Sequence, residues 1–290
     1  MSDTGNLVKN SFTIVGKNRE ILKPTFAQIK IAVTMYVFFV LSVLSFFVLP
    51  RFGAGLLWVP ILILVLTGVY LIVIFPFVKI YYQAAQAWLV YKTFGGKQVV
   101  YADGISRARE NKWDIFVIGL LGIVFSLIAG KLRNGAQRAG FLLGAVLALA
   151  GAAVEEGWDL IGNFLLPASI IQEKSVAQTV PELKTIKNNI PGALAGVFGV
   201  DFVGGMAVSS IFWILALLTV VIGGGCAWLL GVWSVLVVMI ILDFGILIIA
   251  GIFVDMVKTV YFSLFYISVS MPSEISKSYR AEVTNYLLKK

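Results

Sequence analysis

From Ala139 to Gln172 the chain reads AGFLLGAVLALAGAAVEEGWDLIGNFLLPASIIQ, an apolar run that contains Glu155, Glu156 and Asp159 and no Lys or Arg. As a single helix it would rise roughly 50 Å against a hydrocarbon core of about 30 Å. The stretch is therefore expected to be tilted, bent or broken. At a spacing of four, Gly140, Gly144, Ala148, Ala152 and Glu156 form a stripe of small residues running into the acids, and Asp159 and Asn163 continue that side. Small residues at this spacing let two helices approach closely in lipid. Pro167 has no amide hydrogen and frees the carbonyl of Asn163, which predicts a kink.

The rest of the chain has the same character. A mean hydropathy of +0.94, with 59% hydrophobic and 13% charged residues, lies outside the range of soluble globular proteins. The apolar residues come in runs of about 20, the length that crosses a bilayer. An all-α, polytopic transmembrane helical bundle follows as the fold class. Its spans are placed at about 31–49, 56–78, 113–129, 140–172, 193–222 and 233–257, with interfacial segments at 6–28 and 272–290. Residues 6–28 carry Lys9, Lys17, Arg19 and Lys23 opposite Leu7, Phe12, Val15, Leu22 and Phe26, the pattern of a helix lying on an anionic leaflet. GGGCAW is read as the turn between the last two spans, and Asp255 as an interfacial pair with Lys258. Whether the fourth stretch is one bent helix or a re-entrant pair is left open by its composition.

Six spans place both termini on one side. Nineteen of the 23 basic residues then fall on that side and four on the other, which assigns both termini to the cytoplasm of a cell membrane. The net charge of +8 is accounted for by this topology and does not call for nucleic acid. Expected partners are the bilayer and its anionic headgroups at the basic segments, with homo-oligomer or membrane-complex contacts open. The single Cys226 rules out a disulfide within the chain, and the absence of His removes His metal ligands and His general bases. No nucleophile sits beside a base, so neither an enzyme nor a cofactor is expected. The close glycines of GVFGVDFVGG do not follow a strand and are read as helix contacts rather than a dinucleotide loop. Tyr81, Tyr82 and Trp88 fit an interfacial aromatic belt or a headgroup site.

A weak internal echo links the two ends. VKIYYQAAQAWLVY closes the second span and VKTVYFSLFYIS the sixth, as repeated hairpins of a transporter would, although apolar sequences also match by chance.

SFTIVGKNREILKP, FVKIYYQAAQAWLVYKTFGG with ADGISRAREN, and GWDLIGNFLLPASIIQEKSVAQTV together resemble an uncharacterised family of prokaryotic six-span integral membrane proteins, a domain of unknown function. Trp158, Asn163, Phe164, Pro167 and Glu173 fill its pattern at the end of the fourth span. The chain departs from it at Leu165, where an aromatic is usual, and in carrying Glu155 and Glu156. The resemblance implies this architecture and no activity.

Function rests on the acids. Carboxylates in a bilayer cost roughly 2.5 to 3.5 kcal/mol each and normally face a bundle interior or water. Glu155, Glu156, Asp159, Asn163, Asp201 and Asp243 are the candidate hydrophilic path, anionic with no basic partner and suited to a cation or proton. Two readings compete. One is a small-solute or cation/proton transporter or channel, and the other is a non-catalytic scaffold or assembly subunit in which the acids join helices.

Overall fold

The computed structural model describes residues 16, 18–48, 55, 58–179, 190–231 and 233–276, with some helical side chains left outside the description, among them Glu156, Asp159 and Asp201. Residues 6–15 and 17 of the interfacial segment 6–28, residues 49–54, residues 180–189 and residues 277–290 of the 272–290 tail also lie outside the described residues. The described residues are almost all helical and contain no strand. A 3-10 turn, Arg19–Leu22, leads into α1, Lys23–Val48. Then come α2 (Trp58–Val69), a π-helical turn (Tyr70–Ile74), α3 (Phe75–Phe94), α4 (Tyr101–Glu110), α5 (Lys112–Arg138), α6 (Phe141–Gln172) and α7 (Val176–Thr179). The last part comprises α8 (Ile190–Leu218), a second π-helical turn (Thr219–Gly224), α9 (Gly225–Leu230) and α10 (Trp233–Ser270). A 3-10 turn, Pro272–Glu274, follows.

Among the described residues, five helical stretches are long and apolar enough to cross a membrane: Arg19–Phe46, Trp58–Phe94, Lys112–Arg138, Gly204–Leu229 and Val235–Ser270. They expose large aliphatic side chains, with Ile72 at 75%, Leu229 at 72% and Val220 at 68%. Such surfaces belong in lipid, since water would impose about 25 cal/mol on each Å² left uncovered.

Several boundaries differ from those read in the sequence. The acid-bearing stretch is one helix of 32 residues with Pro167 inside it, so no re-entrant break occurs there. KLRNGAQR belongs to α5 rather than to a loop, and the chain reverses at Ala139 and Gly140. GGGCAW is helical as well. The true stop is Gly231, whose φ of 67° places it in the left-handed region that a Cβ disfavours. A π-helical turn at Tyr70–Ile74 widens the backbone one turn ahead of the Pro76 ring.

The chain divides into two compact units. Unit 1 comprises Met1–Pro24, Ile80–Gly199 and Val257–Lys290, and unit 2 comprises Thr25–Lys79 and Val200–Met256.

Unit 1 holds a hydrophobic core. Ala84, Ala85, Ala108, Ile115, Ile118, Leu165, Leu166 and Ile170 pack together from α3, α4, α5 and the end of α6. On another side of α6, Phe164 meets Phe262 and Phe265 of α10 edge-on, at 5.4 and 5.5 Å between ring centroids. Residues 164–171 are buried all round, as expected of a helix surrounded by neighbours. The start of the described chain is fixed into this core. Ile21 is fully buried, its carbonyl accepts from Gln86 Nε2 at 3.0 Å, and Glu20 accepts the first amide of α4, Tyr101 N–H, at 2.7 Å. The end of the described chain is tied in by Ser276 N–H, which donates to the Phe94 carbonyl.

The α5–α6 hairpin is an antiparallel seam. A Cβ at Gly144 would lie 2.7 Å from the Ala136 carbonyl oxygen, and one at Gly151 would lie 3.1 Å from that of Ala129. Farther along, Trp158 stacks on Phe125 at 4.8 Å. The close contacts therefore recur at Gly144, Gly151 and Trp158, a seven-residue repeat, whereas Ala148 of the four-residue stripe is exposed and Gly140 meets nothing within 4 Å.

Candidate functional site

In unit 2, α10 is a long apolar helix, and from Trp233 to Val254 Asp243 is its single charged residue. Ten residues past Trp233, it lies about 15 Å along the helix. Its partner is the hydroxyl of Thr219, which donates to Asp243 Oδ2 at 2.6 Å. Thr219 is buried and opens the π-helical turn Thr219–Gly224. Four residues on, Gly223 lies against α10 so closely that a Cβ there would fall 3.1 Å from Leu236 Cδ1 and 3.3 Å from Met239 Sδ. Leu236, Met239 and Asp243 are thus the α10 face turned toward the π-helical turn, while Leu242 and Phe244 point outward.

The opposite side of α10 is held by α1. Tyr36 donates its hydroxyl to the Ile241 carbonyl at 2.6 Å, and its ring lies 3.3 Å from where a Gly245 Cβ would be. Asp243 therefore sits on a helix pinned from both sides. At the far end of unit 2, Asp255 pairs with Lys79 across helices at 2.7 Å, a partner that the local reading with Lys258 did not contain.

The acids of α6 behave differently. Glu155 forms an ion pair with Arg133 of α5, and both side chains are about half exposed, at 45% and 52%. The expectation of an acid without a basic partner fails at this position, because α5 continues as a helix past Ala129 and carries Arg133 along the seam. The side chains of Glu156, Asp159 and Asp201 lie outside the described residues. Asn163, on α6, is half-buried. Glu155, Glu156, Asp159 and Asn163 belong to unit 1, Asp201 and Asp243 to unit 2. Among the described residues, no group of three or more His, Cys, Asp or Glu side chains is placed to hold a metal ion.

Unit 1 has a polar cluster of its own. Arg107, with 11% of its side chain exposed, donates Nε–H to the Ile170 carbonyl at 2.9 Å and pairs with Glu173. Its guanidinium lies 4.6 Å from the Trp88 ring centroid, and Lys92 lies 4.5 Å from the same ring. Glu173 caps α6 in the left-handed region at φ 57°, a strained conformation for a residue with a Cβ. The ion pair with Arg107 holds it there. Tyr81 donates to the Ile105 carbonyl at 3.1 Å and packs edge-on against Tyr82, so these aromatics serve the unit's packing. Burial, reinforced by neighbouring Tyr82, pushes the Tyr101 phenol up to about 12.

Thr219 and Tyr36 were not singled out in the sequence. Each is a hydroxyl inside an apolar run, a signal shared with many residues that only join helices. No family model matches the chain, and no curated protein or solved structure matches it either.

Proposed function

We propose that the protein is a multi-pass membrane protein that moves a small cation or a proton, with Asp243 as the acid that takes the charge. The observation that carries this reading is the Asp243–Thr219 pair in the middle of an apolar helix. An aspartate at that depth costs roughly 2.5 to 3.5 kcal/mol to insert. A hydrogen bond between membrane helices contributes about 0.6 kcal/mol on average and about 1.7 at most. The bond to Thr219 does not offset the acid, so helix joining is a poor reason for an aspartate here. A π-helical turn beside it agrees, since such turns gather at functional positions.

The same reading takes the six-span topology with both termini in the cytoplasm, no enzymatic activity, and basic cytoplasmic segments on anionic headgroups. The test is charge movement across the membrane of reconstituted proteoliposomes adsorbed on a solid support. Wild type is expected to carry current when a cation gradient is applied, and Asp243→Asn to lose it while eluting as folded protein in size exclusion. Equal current in both rejects the reading.

A second reading, a non-transporting scaffold or assembly subunit, is favoured by the Arg133–Glu155 pair, which gives one of the acids a structural partner. It predicts electrically silent vesicles and stable protein partners in mild detergent.

A further inference from the structure

We infer that the cargo at Asp243 is the proton rather than a metal cation, and that Thr219 is the positioning residue that presents the carboxylate to it. This rests on the proposed role of Asp243. A bound metal cation needs several oxygen ligands at once, six or more for calcium or magnesium. Among the described residues, the hydrogen-bonded oxygens at Asp243 are its own carboxylate and the Thr219 hydroxyl, and Leu236 and Met239 lie on the same α10 face against Gly223. A proton needs only one carboxylate oxygen and one neighbour that can both give and accept a hydrogen bond.

Thr219 is such a neighbour. A hydroxyl has one donor hydrogen and two acceptor lone pairs, so the 2.6 Å pair can exist in either direction without moving a heavy atom. With Asp243 ionised, Thr219 donates to it. When the carboxylate takes one proton from water at one side, the new O–H donates to Thr219 Oγ1. The Thr219 hydrogen then turns to a carbonyl of the preceding helical turn, as Ser and Thr hydroxyls in helices do. Release of the proton to water at the other side restores the carboxylate. One proton and one charge have then crossed, and no other group is consumed.

The neighbouring elements of unit 2 carry few titratable groups. On α1 the titratable side chains are Lys23, Lys30 and Tyr36. The first two are exposed near its start, and Tyr36 is engaged with Ile241 on the other face of α10. On α8 the acid is Asp201, whose side chain lies outside the described residues, and α9 carries Cys226. Asp255, on α10 itself, is paired with Lys79.

The experiment uses the full chain in proteoliposomes, with two separate jumps: pH at constant sodium and potassium, and sodium at constant pH. The pH jump is expected to drive current and the sodium jump none. Thr219→Val is expected to lower the proton current at least fivefold, and Thr219→Ser, which keeps the hydroxyl, to restore it to within twofold of wild type. Asp243-dependent current on the sodium jump alone would overturn the proton assignment and leave the transport reading standing. Silence on both jumps would overturn both. An unchanged proton current in Thr219→Val would overturn the role of Thr219.

Discussion

Asp243 and Glu155 look alike in the sequence, each an acid in an apolar run with no cation nearby in the chain. Their environments separate them. Glu155 is half exposed and paired with Arg133, whereas Asp243 has the Thr219 hydroxyl. Exposed ion pairs contribute about 0 to 1 kcal/mol. Glu155→Gln is therefore expected to lower stability by less than about 1 kcal/mol, as read from thermal unfolding in detergent. Arg107 is a different case. Its guanidinium bonds a carbonyl and a carboxylate and stacks on Trp88 at once, so Arg107→Ala is expected to cost about 1.5 to 3 kcal/mol. Arg107→Lys should recover little of that loss, because an ammonium has neither the fork nor the flat face. Full recovery by Lys would show that charge alone matters there.

At the level of elements, the apolar runs announced the helices, but their ends were obscure for a physical reason. In lipid-facing helices the usual stop signals lose force. GGGCAW reads as a turn by composition yet stays helical, because backbone groups in an apolar medium have no water to bond and remain in the helix. The stop falls at Gly231, where the backbone needs a positive φ. The α5–α6 seam was half legible. Small residues marked close packing, but the contacting positions, Gly144 and Gly151, follow a seven-residue rather than a four-residue repeat. Gly144→Leu should drive a side chain into the Ala136 carbonyl and lower the midpoint of thermal unfolding by several degrees. The same change at Gly140, which faces open space, should leave it within about one degree, since surface changes typically stay inside 0.5 kcal/mol.

For the whole molecule, the sequence disclosed a lipid-embedded helical protein and placed Asp243 in a helix, while hydroxyl partners from distant helices were out of reach. Thr219 lies 24 residues from Asp243. Only folding brings the two together. The proposed topology makes its own prediction. In a Cys226→Ser background, Ser273→Cys and Lys97→Cys should resist a membrane-impermeant maleimide applied to intact cells. Arg138→Cys should react. Labelling of the first two from outside would reverse the orientation and demand a new account of the basic segments.

The most direct test sets the two acids side by side. Wild type, Asp243→Asn and Glu155→Gln, reconstituted at equal protein content, would be compared for pH-driven current. The account predicts current in wild type, at least a tenfold loss in Asp243→Asn, and current within twofold of wild type in Glu155→Gln. Retained current in Asp243→Asn, or its loss in Glu155→Gln alone, would contradict it.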